Sequence, residues 1–179
     1  MKKLFILFLV FVFLNVSKSY AQENNVSTPS SAIDYSLPYP GILPDNPLYF
    51  LKALRDRTIS FFISDPLKKA EFNLLMADVR LNAAQYLFAK GEAKYSLAET
   101  TVSKAENYFF NSLVMLNTAK QQGTQVDDFS AKLINASKKH QQVIKELEDK
   151  SKGSVKDRLA ADEKRAVEHE VRANEIKLK

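Results

Sequence analysis

All six prolines of this chain lie at or before Pro66, and four of them fall within residues 37–52, LPYPGILPDNPLYFLK. Proline fixes φ and donates no backbone N–H, so such a run is neither helix nor central strand and lies extended with polyproline character. At Pro47 the arm turns into something else. Asp45 or Asn46 can accept from the free N–H groups of a helix start, and Pro47 is preorganised for the first helical position. From Leu67 onward the chain has no proline and is free to run as helix without a built-in kink.

Ahead of the arm, Lys2 and Lys3 precede an unbroken apolar run at residues 4–14, and Ser19-Tyr20-Ala21 offers small residues at −3 and −1 of a cleavage site. That is the layout of a secretory signal, predicting cleavage after Ala21. The alternative is a retained anchor, but the run falls short of the ~20 apolar residues that span a bilayer as a helix. Residues 22–36, rich in Asn, Ser and Thr, read as a mobile tether. The sequons at Asn25 and Asn135 are accidental matches if the chain is bacterial.

Three of the four glycines, Gly91, Gly123 and Gly153, each follow a long apolar-periodic segment, where a residue at positive φ would cap a helix. A first helix is predicted from Pro47 to about Phe62, with Leu48, Leu51, Leu54, Ile59 and Phe62 giving a broad apolar face. Asp65 and Pro66 then restart the chain as N-cap and first helical residue. The second helix carries Leu67, Ala70, Leu74, Ala77, Leu81, Ala84 and Phe88, alternating steps of three and four. The third carries Ala98, Val102, Ala105, Phe109, Ser112, Leu116 and Ala119 in the same rhythm. Both seams alternate small with large side chains, so they should interlock across a hairpin turn at close approach. The fourth repeats the pattern with Val126, Phe129, Leu133, Ala136, His140, Val143 and Leu147. Beyond Gly153 the stripe thins to Val155, Leu159, Ala166, Val171 and Ile176, predicting a fifth helix that projects into solvent or frays.

The formal charge of +5 invites a polyanion partner, but removing the three leader lysines from 26 basic residues leaves 23 against 21 acidic. Residues 145–179 hold ten Lys/Arg and nine Asp/Glu, in pairs such as Glu146 with Lys150 and Glu168 with Arg172. Alternating signs build a solvated helix face and give phosphates no basic groove, so no nucleic-acid partner is expected. Cysteine is absent, which removes disulfides and thiol chemistry.

Catalytic and metal signals are equally thin. Of two histidines, His140 falls on the apolar seam and reads as a core residue, while His169 sits between Glu168 and Glu170, which diverge too far around a helix to share one metal. No H-E-x-x-H, E-x-x-H, G-x-S-x-G or glycine-rich phosphate loop occurs. Glu71 and Asp78 lie two turns apart on one side of a helix and could serve as acid and base, but nearly every exposed helix offers such a pair. No catalytic, cofactor-binding or metal residue is assigned, and no enzyme is expected. The segment around Lys90-Gly91 resembles one tetratricopeptide hairpin, but a solenoid needs several at a period of about 34 residues. The arm itself has two readings. Leu37, Tyr39, Ile42 and Leu43 lie in a groove between helices, or Pro-Tyr-Pro is a ligand for an aromatic-lined domain.

Leu43-Pro44-Asp45-Asn46-Pro47-Leu48-Tyr49-Phe50-Leu51-Lys52, Asp65-Pro66-Leu67-Lys68-Lys69-Ala70-Glu71, Ala77-Asp78-Val79-Arg80-Leu81 and the segment from Lys90-Gly91 through Ala98-Glu99 together resemble an uncharacterised bacterial family. It is an extracytoplasmic helical domain of unknown function with an L-P-x-x-P-L-Y-x-L-K box followed by a helical hairpin. The resemblance covers residues 37–116 and departs at Asn82, where relatives often carry an acidic residue. It implies a secreted or surface-exposed module in envelope sensing, since such domains follow a signal peptide or single membrane helix and some accompany extracytoplasmic-function sigma factors. It transfers no site residue.

The expectation is therefore an all-α antiparallel bundle of four to five helices: signal peptide 1–21, tether 22–36, proline-rich arm 37–46, bundle 47–152 and charged C-terminal helix 153–179. The expected function is a non-enzymatic exported interaction or structural module with an envelope or surface protein partner, without cofactor. The alternatives are a membrane-tethered regulatory sensor, held by an uncleaved N-terminal segment, and a bundle that binds a small ligand between its helices. Oligomeric state is not legible.

Overall fold

The computed structural model describes residues 34–178. The signal peptide, its cleavage site and the tether up to residue 33 lie outside the described residues. The chain is all-α, and the described residues contain no strand. Five helices follow the arm: α1, Tyr49–Phe62; α2, Pro66–Phe88; α3, Tyr95–Gln121, entered through a 3₁₀ turn at Glu92–Lys94; α4, Asp127–Asp149; and α5, Gly153–Leu178.

Helices α2 to α5 form the bundle. Helix α2 packs beside α3 and α4, and α5 packs beside the same two, so the four occupy the corners of a square with α3 and α4 on a diagonal. Local chemistry sets the helix ends. Asp65 accepts from Lys68 N–H at 2.8 Å with Pro66 in the first turn, the predicted cap. At the end of α3, Thr124 N–H reaches Ala119 C=O at 3.0 Å and Gly123 N–H reaches Lys120 C=O at 2.9 Å, with Gly123 at φ 81°. This pair of bonds around a left-handed residue stops the helix and turns the chain toward α4.

The predicted seams are the core. All seven named residues of the third and fourth helices are buried, and so are those of the second except half-buried Leu67. Ser112 sits so close to α2 that its hydroxyl donates to Ala70 C=O at 2.7 Å, the close approach that small seam residues permit. Each fully buried Leu in such a seam contributes roughly 1.5–3 kcal/mol.

Two expectations are corrected. Helix α5 docks along α4 and α3 and does not project into solvent. Its inward stripe is Leu159, Asp162, Ala166, His169 and Ala173, while Val171 points outward. The true stripe keeps the three-four rhythm but runs through an Asp and a His, which hides it from a search for apolar residues. Its charges also pair differently, through Arg158 to Glu99 at 2.8 Å, Arg165 to Asp162 at 2.9 Å and Lys138 to Glu170 at 3.7 Å.

The first helix is the larger correction. Leu48, Leu51, Leu54, Ile59 and Phe62, the apolar face of a helix counted within the bundle, are all exposed, and the one buried residue of α1 is Asp56. The helix also starts later than predicted. Asn46 accepts from Leu48 N–H at 2.8 Å, while Asp45 leaves the helix start to pair with Lys90 at 2.8 Å and Lys94 at 3.6 Å.

The arm follows its structural reading in part. Leu37 and Leu43 pack against the core, Pro40 is buried, and the Asn82 amide donates to Pro38 C=O at 2.9 Å. An amide can make that bond and a carboxylate cannot, so Asn82 has a role that an acidic residue would not fill. Ile42 remains on the surface, and Tyr39 is exposed with its ring edge-on to Tyr86, 6.2 Å between centroids. Tyr35, assigned to the tether, packs on the bundle.

Candidate functional site

Two places in the fold depart from what a simple helical bundle requires. The first is a polar layer across the middle of the core. The apolar interior falls into two clusters, one containing Leu74, Phe109 and Leu133, the other Leu81, Val102 and Ile144. Between them in sequence each of the four helices carries a buried acid or histidine, Asp78 on α2, Glu106 on α3, His140 on α4 and His169 on α5, and α2 adds buried Arg80.

The geometry of this layer decides its protonation. His140 Nδ1 lies 2.7 Å from Glu106 Oε1 and its Nε2 lies 3.0 Å from Asp78 Oδ1. Ionised carboxylates only accept, so both ring nitrogens must donate and His140 is an imidazolium. Burial opposes that charge, but Glu106 and Asp78 outweigh it and push the His140 pKa up to about 9. Glu106, likewise opposed by burial, is drawn down to about 2 by His140 and His169. His169 Nδ1 donates to Glu106 Oε2 at 3.1 Å, its ring stacked on Phe109 at 5.1 Å. Tyr35 O–H donates to Asp78 Oδ2 at 2.6 Å, and burial together with that carboxylate keeps the phenol protonated. One side chain from each of α2 to α5, with Tyr35 ahead of the arm, thus forms a hydrogen-bonded chain. Beside it, burial lifts Asp162 to about 6 against the pull of Arg165, and its Oδ2 has no partner.

What this layer can do chemically is limited by its closure. Among the described residues no group of three or more His, Asp or Glu is arranged to hold a metal ion. Surface hollows of roughly 340, 400, 500 and 530 Å³ are lined by other residues, so no substrate-sized opening reaches the layer through them. A charged layer that fits in one register fixes how four amphipathic helices align. His140 was expected in the core and is there. His169, set aside among its acidic neighbours, faces inward, and Glu71 stays on the surface while Asp78 is buried. Glu106 was missed. The legible signal was positional, since Asp78 and Glu106 each directly follow a seam alanine, Ala77 and Ala105.

The second place is α1, whose amphipathicity is inverted. At about 100° per residue, Tyr49, Lys52, Ala53, Asp56 and Ser60 share one side, and these are its half-buried or buried positions. Phe50, Leu51, Leu54, Phe61 and Phe62 occupy the opposite side and are exposed, Phe61 at 81% and Phe62 at 76%. Polar bonds tether the inward side: Lys52 Nζ donates to Pro40 C=O, and Lys69 Nζ to Ser60 C=O. Next to this helix the arm, α1 and α2 enclose a hollow of about 530 Å³, whose rim adds exposed Tyr39, Ile42 and Leu75 to the apolar surface. No helix among the described residues is long and apolar enough to cross a membrane.

No curated protein and no solved structure matches the chain. Residues 41–154, from the arm to the start of α5, match the family described as "Domain of unknown function (DUF5667)", and the chain belongs to that family.

Proposed function

We propose that this chain is a non-enzymatic, exported interaction module whose working surface is the outward face of α1. The observation that carries the reading is the orientation of that helix, with Lys52, Asp56 and Ser60 turned to the bundle and Phe50, Leu54, Phe61 and Phe62 turned away from it. Contiguous exposed apolar surface of this kind marks an interaction site more often than a random feature of a monomer. The bundle supplies the rigid base. Its seams are spent on one another, and Asp78, Glu106, His140 and His169 are bonded to each other. Export rests on the basic, apolar and small-residue layout of residues 1–21.

A photo-crosslinking amino acid placed at Phe61, in the exported protein in its own envelope, tests the reading against the same group at exposed Lys132 on α4. Adducts at position 61 and none at 132 are expected. No adduct at 61, or equal adducts at both, contradicts it. The mature N-terminus, read by mass spectrometry, should be Gln22, and a chain still beginning at Met1 contradicts export by cleavage.

A further inference from the structure

We infer that the occupant of the α1 face is the surface of an anionic lipid bilayer, with α1 lying in the plane of the interface. The inference rests on the reading of α1 as the working surface and adds what covers it. Three observations converge on lipid.

Phe50, Leu54, Phe61 and Phe62 span an arc of about 120° around α1 that also holds Thr58, with Arg57 at the margin beside Phe50 and Arg55, followed by exposed Ile59, at the other. Both arginines are exposed. Arg57 can rest its stem on acyl chains while its guanidinium meets phosphates, whereas the Arg55 guanidinium is turned to Asp56. The charge around the helix has the matching sign. Residues 48–69 contain five basic and two acidic residues, and the one acid within α1, Asp56, is buried and paired with Arg55 at 2.7 Å. An anionic surface therefore meets no exposed carboxylate on the helix itself.

Size argues the same way against a second copy of the chain. Helix α1 has 14 residues, a length of about 21 Å at 1.5 Å per residue. With a width of about 10 Å its footprint is a few hundred Å² at most, against the roughly 800 Å² per partner of a stable protein interface. Self-association through this face would also bring the arginine margins of one copy toward those of the other. A fluid bilayer needs no shaped complement and supplies the opposite charge. The contact is separate from any hold exerted by the N-terminal apolar run, because it is made by the folded domain.

Flotation of the full chain with vesicles of phosphatidylglycerol and phosphatidylcholine in equal parts, beside vesicles of phosphatidylcholine alone, tests the inference. The wild type is compared with Phe61→Asp/Phe62→Asp and with Arg57→Gln, which keep the same N-terminal segment. The expected result is preferential binding to the anionic vesicles that weakens as salt rises from about 0.1 M to about 0.5 M. The aspartate pair should lower partitioning at least about tenfold, and Arg57→Gln about fivefold. Unaltered circular dichroism of the variants shows that the fold survives. Equal binding by all three proteins, no binding, or no preference for the anionic vesicles overturns the inference. Sedimentation velocity without lipid then separates the cases. A dimer that the aspartate pair abolishes leaves α1 as the working surface with a second copy as occupant, whereas a monomer that neither binds vesicles nor yields the photo-adducts removes the working surface as well.

Discussion

Helices α1 and α4 are both amphipathic, yet they use their two faces in opposite ways. Helix α4 buries Phe129, Leu133, Ala136, His140, Val143 and Leu147, and α1 buries Asp56 while Phe50, Leu54, Phe61 and Phe62 face out. The contrast teaches that periodicity establishes that a helix has two faces and leaves open which one meets the protein. What decides is the neighbour. The seam of α4 meets seams of equal rhythm, whereas α1 lies over the arm and the outer side of α2, where a carbonyl of Pro40 and the lysine of position 69 offer polar partners.

The difference can be broken most forcefully from the side of the core. His140→Ala leaves Glu106 and Asp78 buried without their shared cation, a defect expected to cost about 3–5 kcal/mol, read from urea unfolding. A loss under about 1 kcal/mol would mean that the layer is not closed as described. Overpacking the same core with Ala77→Phe should cost about 1–3 kcal/mol.

The pH profile sharpens the contrast, because Glu106, His140 and Asp162 all sit in the bundle. Glu106 is held at about 2, below its ordinary 4.5, so its contribution is present above about pH 4.5 and lost as pH falls toward 2. His140 is raised from 6.5 to about 9, so its contribution is complete below 6.5 and lost as pH rises through 9. Asp162, raised from 3.8 to about 6, favours the folded state while protonated and withdraws that support between those values. Thermal unfolding should therefore show greatest stability near pH 4–5, and His140→Gln should flatten the alkaline limb. A stability maximum above pH 8 would contradict the assigned imidazolium.

Smaller effects are expected toward α1. Asn82→Asp removes the donor to Pro38 C=O and should cost about 1 kcal/mol, loosening the arm on which Lys52 rests. Phe61→Asp/Phe62→Asp should change stability by less than about 0.5 kcal/mol per site, since neither ring is buried. A loss of several kcal/mol there would mean that α1 turns its apolar side inward after all.

The sequence carried the bundle well because reciprocal burial leaves a regular trace. Ala70, Leu74 and Ala77 repeat the spacing of Ala105, Phe109 and Ser112, and the caps at Asp65 and Gly123 mark where each run stops. The polar layer was half legible. His140 sat visibly on a seam, but its partners come from two other helices, at separations of 34 residues to Glu106 and 62 to Asp78, which no local pattern links. Helix α5 misled because Asp162 and His169 occupy seam positions that a search for apolar residues skips. Helix α1 misled because an outward apolar face and an inward one have the same spacing.

Since the chain has no cysteine, one introduced as Phe61→Cys carries a spin label at a single known point, and the same change at buried Ala136 gives the reference. The most direct measurement is the accessibility of the label at position 61, first in solution and then with vesicles of phosphatidylglycerol and phosphatidylcholine. The account predicts a mobile label, open to a water-soluble nickel reagent in solution, that becomes shielded from nickel and open to oxygen when vesicles are added. A label already immobile and shielded in solution, like that at position 136, would contradict the outward face, and one left unchanged by vesicles would contradict the bilayer as its occupant.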